Sequence, residues 1–285
     1  MNAMKFIVCT ENPITVQKFL TEKGISKRLL KKLKRIPDGI TKNGEHIRTV
    51  DTVSDGDTII LNLKDEKFLD ANPDLKNSRI KIAYEDENLI VFNKPAGIPI
   101  HPSIKHQGDT LGNYFAYLYP NLTFRPINRL DRDTSGLCAV AKNAYTASVL
   151  QGNIEKTYYA VVEGITDEYG TIDAPIAREK ESIILRCIRQ DGQKAVTHYR
   201  RIFCNENYSM LEIHLETGRT HQIRVHFSHI GHPLAGDEMY GGNHRVISRQ
   251  ALQCGKLSIK PPPESKINLT EISAETDDDI LNIFK

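Results

Sequence analysis

The 285-residue sequence predicts an α+β protein in two parts. A small module of helices and a short sheet occupies residues 1–63, and a polar linker follows over 64–79. Residues 80–285 form a larger domain on a mixed, largely antiparallel β-sheet flanked by helices. Three observations predict this. Apolar residues between Val16 and Ile36 recur at helical spacing. From Ile80 onward the texture changes to short β-like runs separated by turns. Those strands outnumber the helices and do not alternate with them, the pattern of a mixed sheet.

Local signals justify each element in order. Thr15 caps a first helix with Val16, Phe19 and Leu20 on one face, and Gly24 ends it. Ser26 caps a second helix, with Ile25 before the cap and Leu30 four positions in, the arrangement of a hydrophobic staple. Leu29, Leu30, Leu33 and Ile36 make its inner stripe and Pro37 stops it. Lys27, Arg28, Lys31, Lys32, Lys34 and Arg35 must then cover the outer face. Asn43-Gly44 is a tight hairpin turn, and "VSDGDTIILNL" is a turn into a strand. The polar run "KDEKFLDANPDLKNSR" reads as the linker.

In the larger domain, "IKIAYEDENLIVFNKPAG" gives two strands around a turn at Glu85–Asn88. "LCAVAKN" is a short buried strand, and "KTYYAVVEG" alternates, with Tyr158, Ala160 and Val162 on one side. "YSMLEIHLETG" turns Leu211, Ile213 and Leu215 inward. Helices are predicted near Thr110–Tyr119, Tyr145–Gly152 and His221–Ile230, the last with Ile223, Phe227 and Ile230 on one face and Gly231 at its end.

Bulk properties are those of a soluble globular chain: 39% hydrophobic, 26% charged, net charge +2. The average conceals a dipole along the chain. Residues 18–35 carry eight Lys/Arg against one Glu, whereas the last 22 residues carry six acids against two lysines. Attraction to a polyanion depends on such a patch rather than on the mean. The five cysteines are scattered, without a C-x-x-C pair, which fits reduced thiols rather than a disulfide framework or a zinc site. The apolar run near the start, Phe6 to Cys9, is too short for a signal peptide, and no run reaches the length of a membrane span. A cytoplasmic protein with no membrane partner is expected.

The densest chemistry lies in "RPINRLDRDTSGL", Arg125–Leu137. Three arginines and two aspartates precede a Thr-Ser-Gly turn. An aspartate among arginines is held ionised by their charge, and an ionised carboxylate aimed at a pocket can act as nucleophile or base. On residue types alone, an ion-pair cluster stapling a loop is the commoner arrangement.

The wider sequence decides between them. "NRLDRDTSGLCAVAKN" resembles the signature of the RluA-type pseudouridine synthases, His-Arg-Leu-Asp-x-x-Thr-Ser/Thr-Gly-Leu-x-x-x-Ala-Lys. "VFNKPAGIPIHPS" (Val91–Ser103) is similar to the family's Lys-Pro-x-Gly…His-Pro block. "KTYYAVVEG" (Lys156–Gly164) resembles its Lys-x-Tyr-x-Ala-x-Val-x-Gly strand. "ETGRTHQIRVHFSHIGHPLAGDEMYGG" (Glu216–Gly242) resembles its Gly-Arg-x-His-Gln-Ile-Arg-Val-His block nearly residue for residue. The order of elements from Gln17 to Leu61 is similar to the S4-type RNA-binding module, which points to the RluC/RluD-like branch. The resemblance runs from about residue 15 to about residue 260.

It implies a pseudouridine synthase fold and the isomerisation of uridine to pseudouridine within RNA, without cofactor or metal. The chain is expected to act as a monomer, with large-subunit ribosomal RNA favoured over transfer RNA as its substrate. By position, Asp131 is the implied nucleophile, and Arg129 the arginine that takes the flipped uridine's place in the stack. Tyr158 is implied to stack on the uracil and to serve in proton abstraction at C5. Arg219 is the implied partner of the catalytic carboxylate, and Ile223 the apolar residue near the base. Lys94, Arg132, Arg224 and Arg245 are candidate phosphate contacts, and the six cations from Lys27 to Arg35 are the candidate RNA face of the first module.

Some positions depart from the pattern. Asn128 stands where the family has His, so the loop's hydrogen bonding must adapt, and Gln250 and Gln253 replace two further histidines. The acidic C-terminal tail is expected to close against the domain. His221, His226, His229 and His232 invite a metal reading, but Gly231 breaks the helix between the last two and no Cys or acidic ligand is regularly placed. Two rival classes differ in kind. A non-catalytic ribosome-assembly factor predicts loss of Asp131, Tyr158 or Arg219, all of which are present. A hydrolase pairing His221 with Asp131 lacks a nucleophile elbow.

Overall fold

A computed structural model of the chain describes residues 3–63, 65, 67–179, 184–261 and 267–285. The first module pairs β1 (Ala3–Ile7) with β6 (Thr58–Asn62), and β6 with β3 (Ile40–Lys42), in an antiparallel sheet. Between them come β2 (Ile14–Thr15), α1 (Val16–Glu22), α2 (Lys27–Leu33), β4 (Glu45–His46) and β5 (Thr52–Val53). Thr15 and Ser26 cap the two helices as expected, their hydroxyls accepting from the amides of Lys18 and Leu29. The β3–β4 hairpin turns on Asn43 and Gly44, at φ 51° and 95°, the positive values that the turn needs. Leu29, Leu30 and Leu33 are buried, and the six basic residues from Lys27 to Arg35 are exposed except Lys32, which is half-buried.

The larger domain continues with β7 (Lys81–Glu85), β8 (Leu89–Lys94), α3 (Leu111–Leu118), β9 (Ser135–Ala141) and α4 (Ala144–Leu150). Then follow β10 (Ile154–Glu163), β11 (Tyr169–Asp173), β12 (Ile176–Arg178), β13 (Arg186–Ile188), β14 (Val196–Cys204), β15 (Tyr208–Leu215) and α5 (Gln222–His229). The chain ends through β16 (Leu252–Ile259), β17 (Glu271–Ser273) and α6 (Asp278–Leu281). The main sheet runs β11-β14-β15-β10-β16-β9-β8-β7, with β17 added on β16. Every pair is antiparallel except β9 with β16, which meet in parallel at Ser135–Gln253 and Gly136–Cys254. Two antiparallel halves therefore join at one parallel seam. A side chain at Gly136 would lie 2.2 Å from the Cys254 carbonyl oxygen, so the seam closes only around glycine.

Both faces of the central strands are covered, because β9 is buried from end to end and Val161 is as buried as its neighbours Ala160 and Val162. Ile230, predicted on the inner face of its helix, is exposed because α5 ends at His229.

The linker is not a free spacer. Asn72 accepts from the Asp74 amide to start a short 3-10 turn over Pro73–Asn77, and donates to the Gly108 carbonyl at 2.7 Å. Asn113 on α3 donates to the Asp70 carbonyl at 2.8 Å, and Asp65 pairs with Arg125. Its polarity thus serves docking as well as solvation.

The module itself packs on α4. The Ser26 amide donates to the Ser148 hydroxyl at 2.8 Å, and that hydroxyl donates to the Gly24 carbonyl at 3.1 Å. Phe6 meets Tyr145 edge to face at 5.8 Å between centroids, and Gly24 leaves no room for a side chain against Val149. One apolar core runs through both parts.

The acidic tail closes on the domain as expected. Ile280 and Ile283 are buried beside Val161, Met210 and Ala251, while Arg249 binds Asp277 and Asp279 at 2.9 and 2.7 Å. Gln253 holds the same segment, accepting from the Asp277 amide at 3.0 Å and donating to the Glu275 carbonyl at 2.8 Å. Among the described residues no helix is long and apolar enough to cross a membrane.

Candidate active site

The Asp131 loop sits just before the seam strand β9 and is fastened from several sides. Asn128 is buried, donates to the Leu137 carbonyl at 2.9 Å and accepts from the Ala139 amide at 2.8 Å. Its carboxamide therefore mimics a peptide unit against β9, which is how the loop accommodates Asn at this position. The Arg132 carbonyl accepts from the Gly97 amide and from Lys94 Nζ, each at 2.9 Å. Thr134 closes the turn, its amide donating to the Asp131 carbonyl at 3.2 Å and its hydroxyl accepting from Gln250 at 3.3 Å.

A pocket opens above this loop. Asp131, Arg129 and Thr134 line one wall, Tyr158 and Leu252 the sheet side, and Arg219, His221, Ile223 and Arg224 the wall at the start of α5. Tyr158 and Ile223 are buried, whereas Asp131 is half-buried and Arg129 exposed at the rim. Six sequence-predicted residues are thus brought together: Asp131, Tyr158, Arg219, Arg129, Ile223 and Arg224.

Their roles are distributed differently from the expectation. Arg219 was the expected partner of the Asp131 carboxylate. It is exposed and donates through Nε to the Lys194 carbonyl at 3.1 Å. Arg224 takes the carboxylate instead, with a terminal nitrogen 3.3 Å from Asp131 Oδ2. The point at which α5 begins explains the exchange. Arg219 lies before α5 and points out of the wall, whereas Arg224 is in its first turn, on the buried face beside Ile223.

Arg224 is not available to phosphate, because the rest of its guanidinium forks onto Asp237, Nε to Oδ2 at 2.6 Å and a terminal nitrogen to Oδ1 at 2.7 Å. The Asp237 contact holds its guanidinium above its ordinary value against the opposing effect of burial. Lys94 is a second correction. Fully buried, it donates to the Pro95 and Arg132 carbonyls, and burial pushes its ammonium down to about 8. It clamps the loop and cannot reach RNA. Arg132 is exposed and paired with Asp133, its two nitrogens donating at 2.9 Å each. Arg245 is exposed at the surface.

Burial raises the Tyr158 phenol well above its ordinary value, so a phenolate is not its resting form. Of the histidines, His226 is fully buried, with Nδ1 2.9 Å from the Thr197 hydroxyl and Nε2 2.9 Å from the Ala174 carbonyl. His232 lies 2.9 Å from the Glu163 carbonyl, and His229 is exposed. They are not gathered around a common point.

Sequence reasoning missed Asp237 and Tyr240. Both lie within the quoted Glu216–Gly242 stretch but beyond the family pattern matched to it, which ends at His226, so only their nearness to the motif was a signal. It also missed the left-handed backbone at His221, φ 57°, which nothing in a His-Gln pair announces. Beside the pocket lies a groove lined by Arg178, Arg186, Gln193 and Thr220, which shares Arg219 with it. A separate basic concavity on the first module is formed by Arg28, Lys31, Lys32 and Arg35 around Ile36.

Comparison with known proteins places this geometry. The family model described as RNA pseudouridylate synthase matches residues 88–229, which include Asp131, Tyr158, Arg219 and Arg224. The uncharacterized RNA pseudouridine synthase YjbO of Bacillus subtilis is 40% identical over 262 residues, 87% of this chain and 91% of that protein. Ribosomal large subunit pseudouridine synthase D of Pseudomonas aeruginosa is 39% identical over 224 residues, 74% of this chain and 68% of that one. Human RNA pseudouridylate synthase domain containing 1 superposes with a TM-score of 0.57 at 27% identity, over 69% of this chain and 83% of that chain. The sheet, the pocket and these likenesses agree: the chain belongs to the RNA pseudouridylate synthase family and is an RNA pseudouridine synthase.

Proposed function

We propose that this enzyme isomerises uridines in large-subunit ribosomal RNA, with Asp131 as the nucleophile on a flipped-out uridine. The observation that carries the reading is the Asp131 carboxylate in a pocket walled by Tyr158 and Ile223 and held by Arg224. A stacked base is out of reach of such a pocket, so the uridine must leave the helix, at a cost of a few kcal/mol. Arg129, exposed at the rim, fills the vacated stacking position. Asp131 adds to C1′ of the sugar or C6 of the base, and the bond between N1 and C1′ breaks. The uracil turns within the pocket and C5 bonds to C1′. On the first route Asp131 leaves C1′ as C5 bonds to it, and on the second it is eliminated from C6, which restores the carboxylate. The C5 proton passes to solvent and N1 takes one up. Atoms and electrons balance within one nucleotide.

Tyr158 covers the base as a neutral phenol. Lys94 and Asn128 hold the loop from below. Three basic surfaces are suited to the RNA backbone: Arg132 at the loop, the Arg178–Arg186–Arg219 groove, and Lys27, Arg28, Lys31, Lys32, Lys34 and Arg35 on the first module, which we assign as an S4-like RNA-binding unit. The relatives named for the large ribosomal subunit support that substrate over transfer RNA.

The test uses RNA tritiated at uracil C5, which loses its label only when pseudouridine forms. The enzyme and its Asp131→Asn variant are incubated separately with unmodified large-subunit ribosomal RNA and with unmodified transfer RNA. Release from ribosomal RNA alone, absent in the variant, is the expected result. Release from transfer RNA alone overturns the substrate, and release by the variant overturns the nucleophile.

A further inference from the structure

The reading of Asp131 as the reacting carboxylate leaves one of its neighbours without a role. His221 precedes α5 with φ 57° and ψ 20°, a left-handed conformation that costs a non-glycine residue about 1 kcal/mol or more and persists where the surroundings hold it. Helix capping does not explain it, because the side chain makes no cap hydrogen bond. The ring is turned into the pocket wall instead. Its Nδ1 lies 2.7 Å from the Tyr240 hydroxyl, and its Nε2 lies 3.8 Å from Asp131 Oδ2.

The hydrogen bonds around the ring are compatible with one tautomer in particular. The Tyr240 hydroxyl accepts from the Arg186 backbone amide at 3.1 Å. A hydroxyl that accepts one bond still has its proton to give, and His221 Nδ1 is within reach of it. A neutral imidazole that accepts at Nδ1 carries its own proton on Nε2, the nitrogen that faces Asp131. The charged groups facing this ring are Asp131, Arg224, Arg186 and Asp237, and burial favours its neutral form. Tyr240 is fixed in turn, edge-on to His221 at 5.6 Å and beneath the Arg224 guanidinium at 4.9 Å. Arg224 and His221 both address the same oxygen of Asp131, Oδ2.

We propose that His221 is a positioning residue of the reaction. Its Nε2–H, turned by Tyr240, faces Asp131 Oδ2 across 3.8 Å and closes on it beside Arg224 when the uridine enters, so that Oδ1 is the oxygen presented to the uridine. The proposal rests on Asp131 being the nucleophile. It also gives Tyr240 a function, as the group that selects the imidazole tautomer, and it ties that choice to β13 through the Arg186 amide.

The test centres on Tyr240→Phe, which keeps the ring beside His221 and under Arg224 and removes only the hydroxyl. NMR of the imidazole nitrogens is expected to show His221 as a single Nε2–H tautomer in the wild type and as a mixture in the variant. Turnover at saturating RNA should fall about tenfold with KM unchanged, the signature of a misaimed group rather than a lost binding contact. His221→Asn keeps a residue that tolerates the left-handed backbone, and should lose at least as much. The double variant should be no slower than His221→Asn alone, since both act through one contact.

An Nδ1–H tautomer in the wild type overturns the proposal, and that measurement needs no variant to fold. Unchanged turnover in Tyr240→Phe overturns it as well, as does a loss confined to KM. Asp131→Asn run alongside separates the two readings. Turnover surviving in that variant refutes the nucleophile, whereas the His221 tautomer is read independently.

Discussion

Asp237 fixes Arg224. Two nitrogens of the guanidinium fork onto the buried Asp237 carboxylate at 2.6 and 2.7 Å, which leaves the third aimed at Asp131. A planar fork can serve two carboxylates at once, and a lysine cannot. Arg224→Lys should therefore keep the charge and still slow turnover about a hundredfold. Arg219→Lys should change turnover at saturating RNA less than about tenfold, because Arg219 meets a carbonyl at the rim. Single-turnover rates of the two variants, measured side by side, check which arginine serves the carboxylate.

Lys94 trades stability for loop geometry. Its ammonium is favourable in water and disfavoured where it is buried, so its value falls from 10.5 to about 8. A group lowered in the folded state adds stability as pH rises from the folded value toward the unfolded one. Denaturant midpoints should therefore rise for the wild type between pH ~8 and ~10, and Lys94→Met should lack that rise. At neutral pH the same variant should lose about 1–3 kcal/mol at most, because the Pro95 and Arg132 carbonyls each lose a donor while the cost of burying the charge is relieved. Its turnover should fall, because the Arg132 carbonyl loses a donor that holds the loop.

Acid should destabilise the protein through its buried histidines. Burial holds His221 and His226 below their ordinary value. Their contribution is complete above about 6.5 and is lost as pH falls through the lowered folded values. His226 is the strongest case, because Nε2 donates to the Ala174 carbonyl and Nδ1 accepts from Thr197, a pattern that only the neutral ring satisfies. Melting temperature should drop more steeply with acid in the wild type than in His226→Gln.

The basic face of α2 should govern RNA affinity and not chemistry. Lys31→Glu with Arg35→Glu should weaken binding, and should reduce the slope of log affinity against log salt by about 0.7 to 0.9 for each lost phosphate contact. Turnover at saturating RNA should hold. An unchanged salt slope would mean that these lysines and arginines only solvate the helix.

Much of this structure was legible because its signals are local. Thr15 and Ser26 announce their helices, Asn43-Gly44 its hairpin, and the spacing around Leu211 and Ile213 its strand. The pocket was legible for another reason, since the motif blocks converge on it. What escaped was the assignment of contacts within a block. Arg219 and Arg224 are both arginines of one motif, and nothing in it announces that α5 begins between them, which leaves Arg219 at the rim and buries Arg224. Lys94 looked like a surface cation because nothing in "NKPAG" reveals that two carbonyls wait beneath it. The docking of the linker was not legible because its polar residues find their partners on α3 and Arg125, far along the chain.

The parallel seam between β9 and β16 carries a consequence for when the enzyme becomes active. Ser135 pairs with Gln253 and Gly136 with Cys254, contacts that join distant parts of the sequence. Closing so long a stretch is entropically slow, and non-local strand pairing comes late in folding. The Asp131 loop is anchored to β9 on one side of that seam, and to Gln250, which leads into β16, on the other. A chain whose β16 has not yet paired with β9 has no finished pocket, so the enzyme stays silent until residues 252–259 have emerged and taken their place in the sheet.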